Sequence, residues 1–271
     1  MIELRELKTI EELEEVQVLE HKVWQTDIVP THQTLTAVKN GGIVIGAYVD
    51  GKLVGFSYGF TGFKNGKVYL CSHMLGIDEE YRSKGIGEKL KRKQREIAIE
   101  KGYDRMHWTF DPLETRNAYL NLTKLRGICD TYVENCYGEM KDGLNKGLPS
   151  DRFELHWHLL SPHVVEQRTL EIEDPIALND ITFNDTGSPV FVSREVGEIS
   201  EEAYSLAVPK DFQHLKKTDP ELALDWRLNT RKEFNRVFQA GYAAVKLQVF
   251  DTHATYLFVR KEQLELGGNE T

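Results

Sequence analysis

Cysteine is scarce in this chain of 271 residues: Cys71, Cys129 and Cys136 are its three, and no two form a CxxC pair. Any disulfide scheme leaves one thiol over, which fits a reducing compartment. No apolar stretch approaches the roughly 20 residues of a membrane span. Met1-Ile2-Glu3-Leu4 reads as the start of a strand rather than a signal peptide, so the expected location is the cytoplasm. Positive charge is in deficit, with a formal net charge of −9. That balance argues against nucleic acid or an anionic membrane as the main partner. It is compatible with a cationic amine substrate, although mild acidity is ordinary in soluble proteins. With 40% apolar and 28% charged residues, the composition is that of a globular protein. Two common phosphate loops are also missing. No Lys-Ser or Lys-Thr follows the glycines near residue 85, which excludes a P-loop, and Leu90 stands where a dinucleotide fingerprint needs its third glycine.

The stretch from Val68 to Arg126 holds the clearest signal. An apolar run, Val68 to Ile77, ends in Asp78-Glu79-Glu80 and is followed by Arg82-x-x-Gly85-x-Gly87 and an amphipathic helix. Glycines at a helix start let the backbone approach an anion, and the unpaired N–H groups of the first turn then point at it. This is a phosphate-cradling turn.

With its arginine, preceding strand and following helix, the motif resembles the pyrophosphate loop of the GNAT superfamily, the acyl-CoA-dependent N-acyltransferases. Leu75-Gly76-Ile77 closes the preceding strand, and Leu90 gives the helix its apolar contact. Ser72-His73-Met74-Leu75-Gly76, Trp108-Thr109-Phe110-Asp111-Pro112-Leu113 and Gly147-Leu148-Pro149-Ser150-Asp151-Arg152 resemble a poorly characterised subgroup with an extra C-terminal region.

The order of elements agrees with that likeness over residues 1 to about 160. A strand at Ile2–Leu7 precedes a helix opened by the capping box Thr9-Ile10-Glu11-Glu12, with Leu13, Val16, Leu19, Val23 and Trp24 on one face. Ile43–Val49 and Leu53–Phe60 form a hairpin across Asp50-Gly51. After a loop from Gly62 to Gly66, a third antiparallel strand spans Lys67–Ile77. The helix Gly85–Lys101 and the strand Arg105–Phe110, expected parallel to Lys67–Ile77, follow. A helix at Asn117–Leu125 and strands at Tyr132–Tyr137 and Phe153–Leu160 complete the unit. The expected class is α/β (α+β): a GNAT-like mixed, mostly antiparallel sheet flanked by helices, plus a smaller C-terminal α+β unit.

Residues 161–271 are read as that second unit, a candidate degenerate partial copy of the first. Residues 171–190 are acidic and turn-rich. Asp219-Pro220 starts a long helix to Ala240 with Trp226, Phe234 and Phe238 on its apolar face, and Val245–Phe250 and Thr255–Arg260 form a hairpin. No second Arg-x-x-Gly-x-Gly occurs. The roles open to this unit are covering the sheet, closing an acceptor pocket or forming a homodimer.

The resemblance implies direct attack of an amine on an acyl-CoA thioester, with acetyl-CoA or another acyl-CoA as co-substrate and no metal. The pantetheine arm would pair with Met74, Leu75, Gly76 and Ile77. Arg82, Lys84, Gly85, Ile86 and Gly87 would hold the pyrophosphate, and Asn117 and Asn121 would contact the arm. Lys91 to Arg95 read as a solvated helix face. Many family members carry a glutamate where Cys71, Ser72 and His73 stand. His73 is open to two readings, a general base or a hydrogen-bonded core residue. Asp111 either faces the acceptor or caps the next helix. Counting back from Lys124, the family's tyrosine acid becomes Leu122, which leaves Tyr119 as a stand-in acid or a packing residue. Trp24, Asp27 and His32 fall in the loop that in the family walls the acceptor pocket, or simply form a loop. His156 and His158 share a strand face without further ligands at metal spacing, and Cys71 lacks a visible base partner.

The expected function is transfer of an acyl group from CoA to an amine of a small molecule, with no nucleic-acid or membrane partner. The alternative is a catalytically inactive CoA-binding sensor or assembly module.

Overall fold

The computed structural model describes residues 2–25, 28–138, 147–167, 170 and 172–267. They divide into two compact units, Met1–Trp108 and Thr109–Thr271. In the first, β1 (Ile2–Glu6), β2 (Ile43–Val49), β3 (Lys52–Lys64) and β4 (Lys67–Ile77) are successive antiparallel neighbours. The strand β5 (Arg105–Phe110) joins parallel to β4. The turns explain the hairpins. Asp50 and Gly51 take φ of 50° and 78°, and Asn65 and Gly66 repeat the pattern at 53° and 74°. Two consecutive positive φ values suit the twist of a two-residue hairpin. β3 therefore runs on to Lys64, where the sequence reading placed a loop from Gly62.

Helices cover both faces of this sheet. α1 (Ile10–Trp24) opens with the expected capping box: the Glu12 N–H donates to Thr9 Oγ1 at 3.3 Å, and the Thr9 N–H donates to Glu12 Oε2 at 3.1 Å. Its Leu13, Val16 and Leu19 pack with Phe56 and Tyr58, and side chains of α2 (Thr31–Lys39) join the same cluster. α3 (Ile86–Glu100) buries Ile86, Leu90, Ile97 and Ala98. Fully burying one such aliphatic side chain is worth about 1.5–3 kcal/mol, so the two apolar faces outweigh what propensity alone supplies.

In the second unit, a single α-helical turn, α4 (Thr115–Ala118), passes into a π-helical turn over Tyr119–Lys124, where one regular helix was expected. β6 (Ile128–Val133) and β7 (Arg152–His158) pair antiparallel, each shifted from its expected range. The short helix α5 (Pro162–Val165), β8 (Ile176–Ala177), β9 (Asn179–Phe183), β10 (Pro189–Ser193), β11 (Ala203–Pro209) and α6 (Phe212–Thr218) follow. The long helix α7 (Pro220–Gln239) starts at the expected Asp219 cap, whose side chain accepts from the Leu222 N–H. The hairpin β12 (Tyr242–Val249) and β13 (His253–Arg260) ends the sheet order β7-β6-β12-β13-β11-β8 within this unit.

Packing therefore joins residues on both sides of position 160. Ala244 of β12 pairs with Cys129 of β6, and Phe153 of β7 lies 4.6 Å from Phe234 and 5.6 Å from Tyr256, measured between ring centroids. The apolar face of α7 is buried inside its own unit: Trp226 is in T-shaped contact with Phe191, and its indole N–H donates to the Pro189 carbonyl at 2.8 Å. Among the described residues, no helix is long and apolar enough to cross a membrane.

Candidate active site

At the end of β4 the chain turns on a buried carboxylate. Asp78 is held by Lys22 at 2.7 Å, with Lys52 at 3.7 Å, and the Lys22 contact keeps its carboxyl below the usual carboxylate range. A 3-10 turn over Glu79–Tyr81 then leads into Arg82–Gly87. Here Ser83 and Gly85 both adopt left-handed backbone, with φ of 64° and 75°. Such turns aim successive N–H groups to one side and create a concavity for an anion. Gly85 is also the N-cap of α3 and offers no side-chain oxygen. The first-turn N–H groups of Ile86, Gly87 and Glu88 consequently lack an intrahelical acceptor, at the positive end of the helix dipole. A Cβ on Gly85 would meet nothing within 4 Å, so the loop faces open space. Arg82 and Lys84 are exposed beside it. Arg82 Nε donates to the Ile77 carbonyl at 3.3 Å, and Lys84 Nζ donates to the Glu80 carbonyl at 2.9 Å while lying 4.7 Å from the centre of the Tyr81 ring.

The strand leading to the loop has one occupied and one open edge. Met74 to Ile77 pair with Tyr58 to Gly55 of β3. On the other side, the ladder to β5 consists of Leu70↔Met106 and Cys71↔His107 and then stops. From Ser72 to Ile77, that edge of β4 has no strand partner among the described residues. An unpaired edge of this kind accepts an extended chain by main-chain hydrogen bonding. A bulge opposite Gly59, between Cys71 and Met74, sits at the top of the open stretch and re-aims the side chains around it. At Gly76 a Cβ would fall 2.6 Å from the Phe56 ring, so only glycine fits there.

Beneath the open edge lies a buried polar row. Lys91 is 2% exposed, and its ammonium donates to Ser72 Oγ at 2.7 Å. Ser72 Oγ in turn donates to Gln94 Oε1 at 2.6 Å. The Lys91 ammonium also lies 3.6 Å from the centre of the Trp108 ring, an attractive cation–π contact. Burial pushes the Lys91 amine down to about 7. The solvated face expected from Lys91 to Arg95 is thus corrected at Lys91 and at Gln94, which point into the core. Lys93 does sit in solvent, paired with Glu96 at 2.9 Å.

The family model described as "Acetyltransferase (GNAT) family" matches residues 4–121. Over that span the chain is similar to the GNAT acetyltransferases. No curated protein matches it. Among solved structures, an acetyltransferase of the GNAT family from Streptococcus pneumoniae is 15% identical with a TM-score of 0.47, over 58% of this chain and 98% of that one. The ribosomal-protein-S18-alanine N-acetyltransferase from Escherichia coli is 14% identical with a TM-score of 0.46, over 59% and 94%. An N-acetyltransferase from Staphylococcus aureus Mu50 is 16% identical with a TM-score of 0.47, over 59% and 99%.

In this chain the first unit brings together His73, Met74, Leu75, Gly76, Ile77, Arg82, Lys84, Gly85, Ile86 and Gly87. The His73 ring is exposed, with the rings of Phe60 and Tyr58 at 5.6 Å and 6.2 Å. Desolvation by those neighbours lowers its pKa, favouring the neutral imidazole, while its water-facing side limits the effect. The sequence reading missed Glu20. This carboxylate of α1 is buried, accepts from the Val29 N–H at 3.0 Å, and is raised by desolvation. Burial raises the nearby Tyr58 phenol, and the charges of Cys71 and Glu20 add to that effect. Its signal was an acidic residue at helical spacing among Val16, Leu19 and Val23.

The other expected residues lie in the second unit. Asp111 accepts from the Leu113 N–H at 2.9 Å and from Arg227 Nη2 at 2.5 Å, with Arg152 at 3.8 Å. Asp111 thus sits in the turn before α4 without capping that helix, whose N-cap is Glu114. Tyr119 is partly exposed, with the Lys124 ammonium 5.9 Å from its ring centre. Asn117 is exposed, Asn121 is buried with its carbonyl accepting from the Gly127 N–H, and Leu122 is fully buried. His156 lies 3.8 Å from Asp130, and burial raises the Cys71 thiol, which disfavours a thiolate. Trp24 packs edge-on against Phe56 and His32 is exposed; Asp27 lies outside the described residues.

Proposed function

We propose that this protein is a member of the GNAT superfamily and transfers an acyl group, acetyl in the simplest case, from acyl-CoA to the amine of a small molecule by direct attack. One juxtaposition supports it above all: an uncapped helix start with left-handed Ser83 and Gly85, directly after the Ser72–Ile77 edge of β4, which has no strand partner among the described residues. The loop suits the pyrophosphate, Arg82 and Lys84 supply positive charge, and the edge at Met74–Ile77 suits the pantetheine arm. A main-chain N–H on that edge would stabilise the oxyanion formed when the amine attacks. His73 is our candidate for accepting the ammonium proton, and Glu20, on the α1 side of the sheet, for holding the cationic acceptor. Residues 1–160 remain the segment we assign to acyl-CoA, although packing divides the chain after Trp108.

A second reading has its own observation. The position that carries a tyrosine acid in many family members is filled by Leu122, fully buried as a core residue. A protein that binds acyl-CoA without transferring the acyl group is consistent with that exchange. Thiol release from acetyl-CoA, measured across a panel of small amines and peptide amino termini, separates the two. Acceptor-dependent release with a mass gain on the acceptor supports transfer. Saturable acyl-CoA binding with no release across the panel supports the sensor.

A further inference from the structure

The last ladder pair between β4 and β5 is Cys71↔His107. One residue further, Ser72 on β4 and Trp108 on β5 are the first positions past the point where the strands part. Lys91 touches both: its ammonium is 2.7 Å from Ser72 Oγ and 3.6 Å from the centre of the Trp108 ring. We propose that Lys91 is a positioning residue, an internal prop whose ammonium bridges Ser72 and Trp108 and holds the fork between β4 and β5 at the width the pantetheine arm requires.

The surroundings fit a prop better than simple core packing. A methionine would fill the same volume without the cost of burying an amine. The lysine instead spends its hydrogen-bonding capacity on the two diverging strands. Gln94 completes the row by accepting from Ser72, and Gly59 leaves room for it, since a Cβ there would lie 3.1 Å from Gln94 Nε2. β3 turns Gly55, Ser57 and Gly59 toward α3, none of them titratable. Cys71 of β4 is the one titratable group whose charge acts on Lys91, and β5 faces it with the Trp108 ring. Among the described residues, no carboxylate compensates the ammonium. Its charge is therefore poised, with the amine near 7, to respond to an anion arriving one helical turn away at Gly87. Phosphate charge favours the protonated amine, so acyl-CoA binding should take up a proton.

This inference rests on the acyl-CoA reading, and the test separates the two. CoA binding to the full chain is measured by calorimetry at about pH 7.5 in two buffers of different ionisation heat, for the wild type, Lys91→Met and Lys91→Arg. The wild type should take up a fraction of a proton, and its affinity should fall several-fold, at most about tenfold per pH unit, as pH rises toward about 9. Lys91→Met should bind roughly tenfold more weakly and lose the pH dependence. Lys91→Arg should recover most of the affinity without the pH dependence, because a guanidinium does not titrate there. Equal affinity and equal proton uptake in wild type and Lys91→Met would overturn the prop while leaving the acyl-CoA site intact. No CoA binding by the wild type would overturn both. Tryptophan emission gives a readout independent of variant folding at position 91. The wild type should show a transition near pH 7 that Trp108→Phe removes, and its absence would also refute the proposal.

Discussion

Arg227 of α7 closes on Asp111 at 2.5 Å, joining residues 116 positions apart within the second unit. The guanidinium is 1% exposed, with Arg152 a further 3.8 Å contact on the same carboxylate. Nearby, Arg231 grips Asp151 through two hydrogen bonds of 2.9 Å, and Tyr132 donates to Asp151 at 2.6 Å. Asp111 is thus one corner of a buried polar cluster that ties the segment before α4 to α7.

Removing one partner of such a pair leaves the other charge buried and uncompensated, which costs about 3–5 kcal/mol. Arg227→Ala and Asp111→Asn should each lower stability in urea unfolding by an amount of that order. If Asp111 were instead a general base, Asp111→Asn would abolish turnover and leave the unfolding midpoint in place.

Lys91 sets a pH dependence with a definite sign. Burial pushes its amine down to about 7 in the fold, from the ordinary lysine value of 10.5. Between those values the unfolded chain binds the proton and the folded chain does not, so stability rises with pH across that window. The cost of the buried charge is fully present below about 7 and is relieved at about 1.4 kcal/mol per pH unit above it. Unfolding of wild type and Lys91→Met at about pH 7 and pH 9 checks this. The difference between them should shrink as pH rises, while the raised phenols act on both proteins alike.

For His73, the prediction concerns rate. The neutral imidazole is the base, and its environment lowers its pKa from the usual histidine value. Turnover should therefore hold level at neutral pH and decline only below the ordinary histidine range. His73→Asn should reduce kcat by roughly a hundredfold, the low end for a lost general base, and leave CoA affinity within about twofold. A steady-state pH profile on an acceptor that supports turnover decides it.

Much of the first unit was legible because local chemistry and global packing agree there. The Thr9–Glu12 capping box, the Asp50-Gly51 turn and the Gly85 helix start each occupy the expected place. β11 was missed because Ala203–Pro209 is buried along nearly its whole length, so it shows no alternation to distinguish it from other apolar runs. The π-helical turn at Tyr119–Lys124 keeps the composition of an ordinary helix and differs only in hydrogen bonding. Lys91 was read as solvated because it sits among seven basic residues between Arg82 and Arg95. Its spacing with Gln94 and Ala98, three and four residues apart along one buried line, was the signal that charge concealed.

The most direct measurement is calorimetric titration of the full chain with CoA, alongside Gly87→Val and Lys93→Ala. With the phosphate seated on the first turn of α3, one CoA should bind per chain. A valine at position 87 should abolish binding, whereas Lys93→Ala, on the solvated face, should change affinity well under tenfold, or about 1.4 kcal/mol. At a CoA concentration of about 100 times the dissociation constant, the ligand should also add about 2.7 kcal/mol of stability. No heat and no stabilisation by CoA, or a binding loss greater in Lys93→Ala than in Gly87→Val, would show that Arg82–Gly87 does not hold the phosphates.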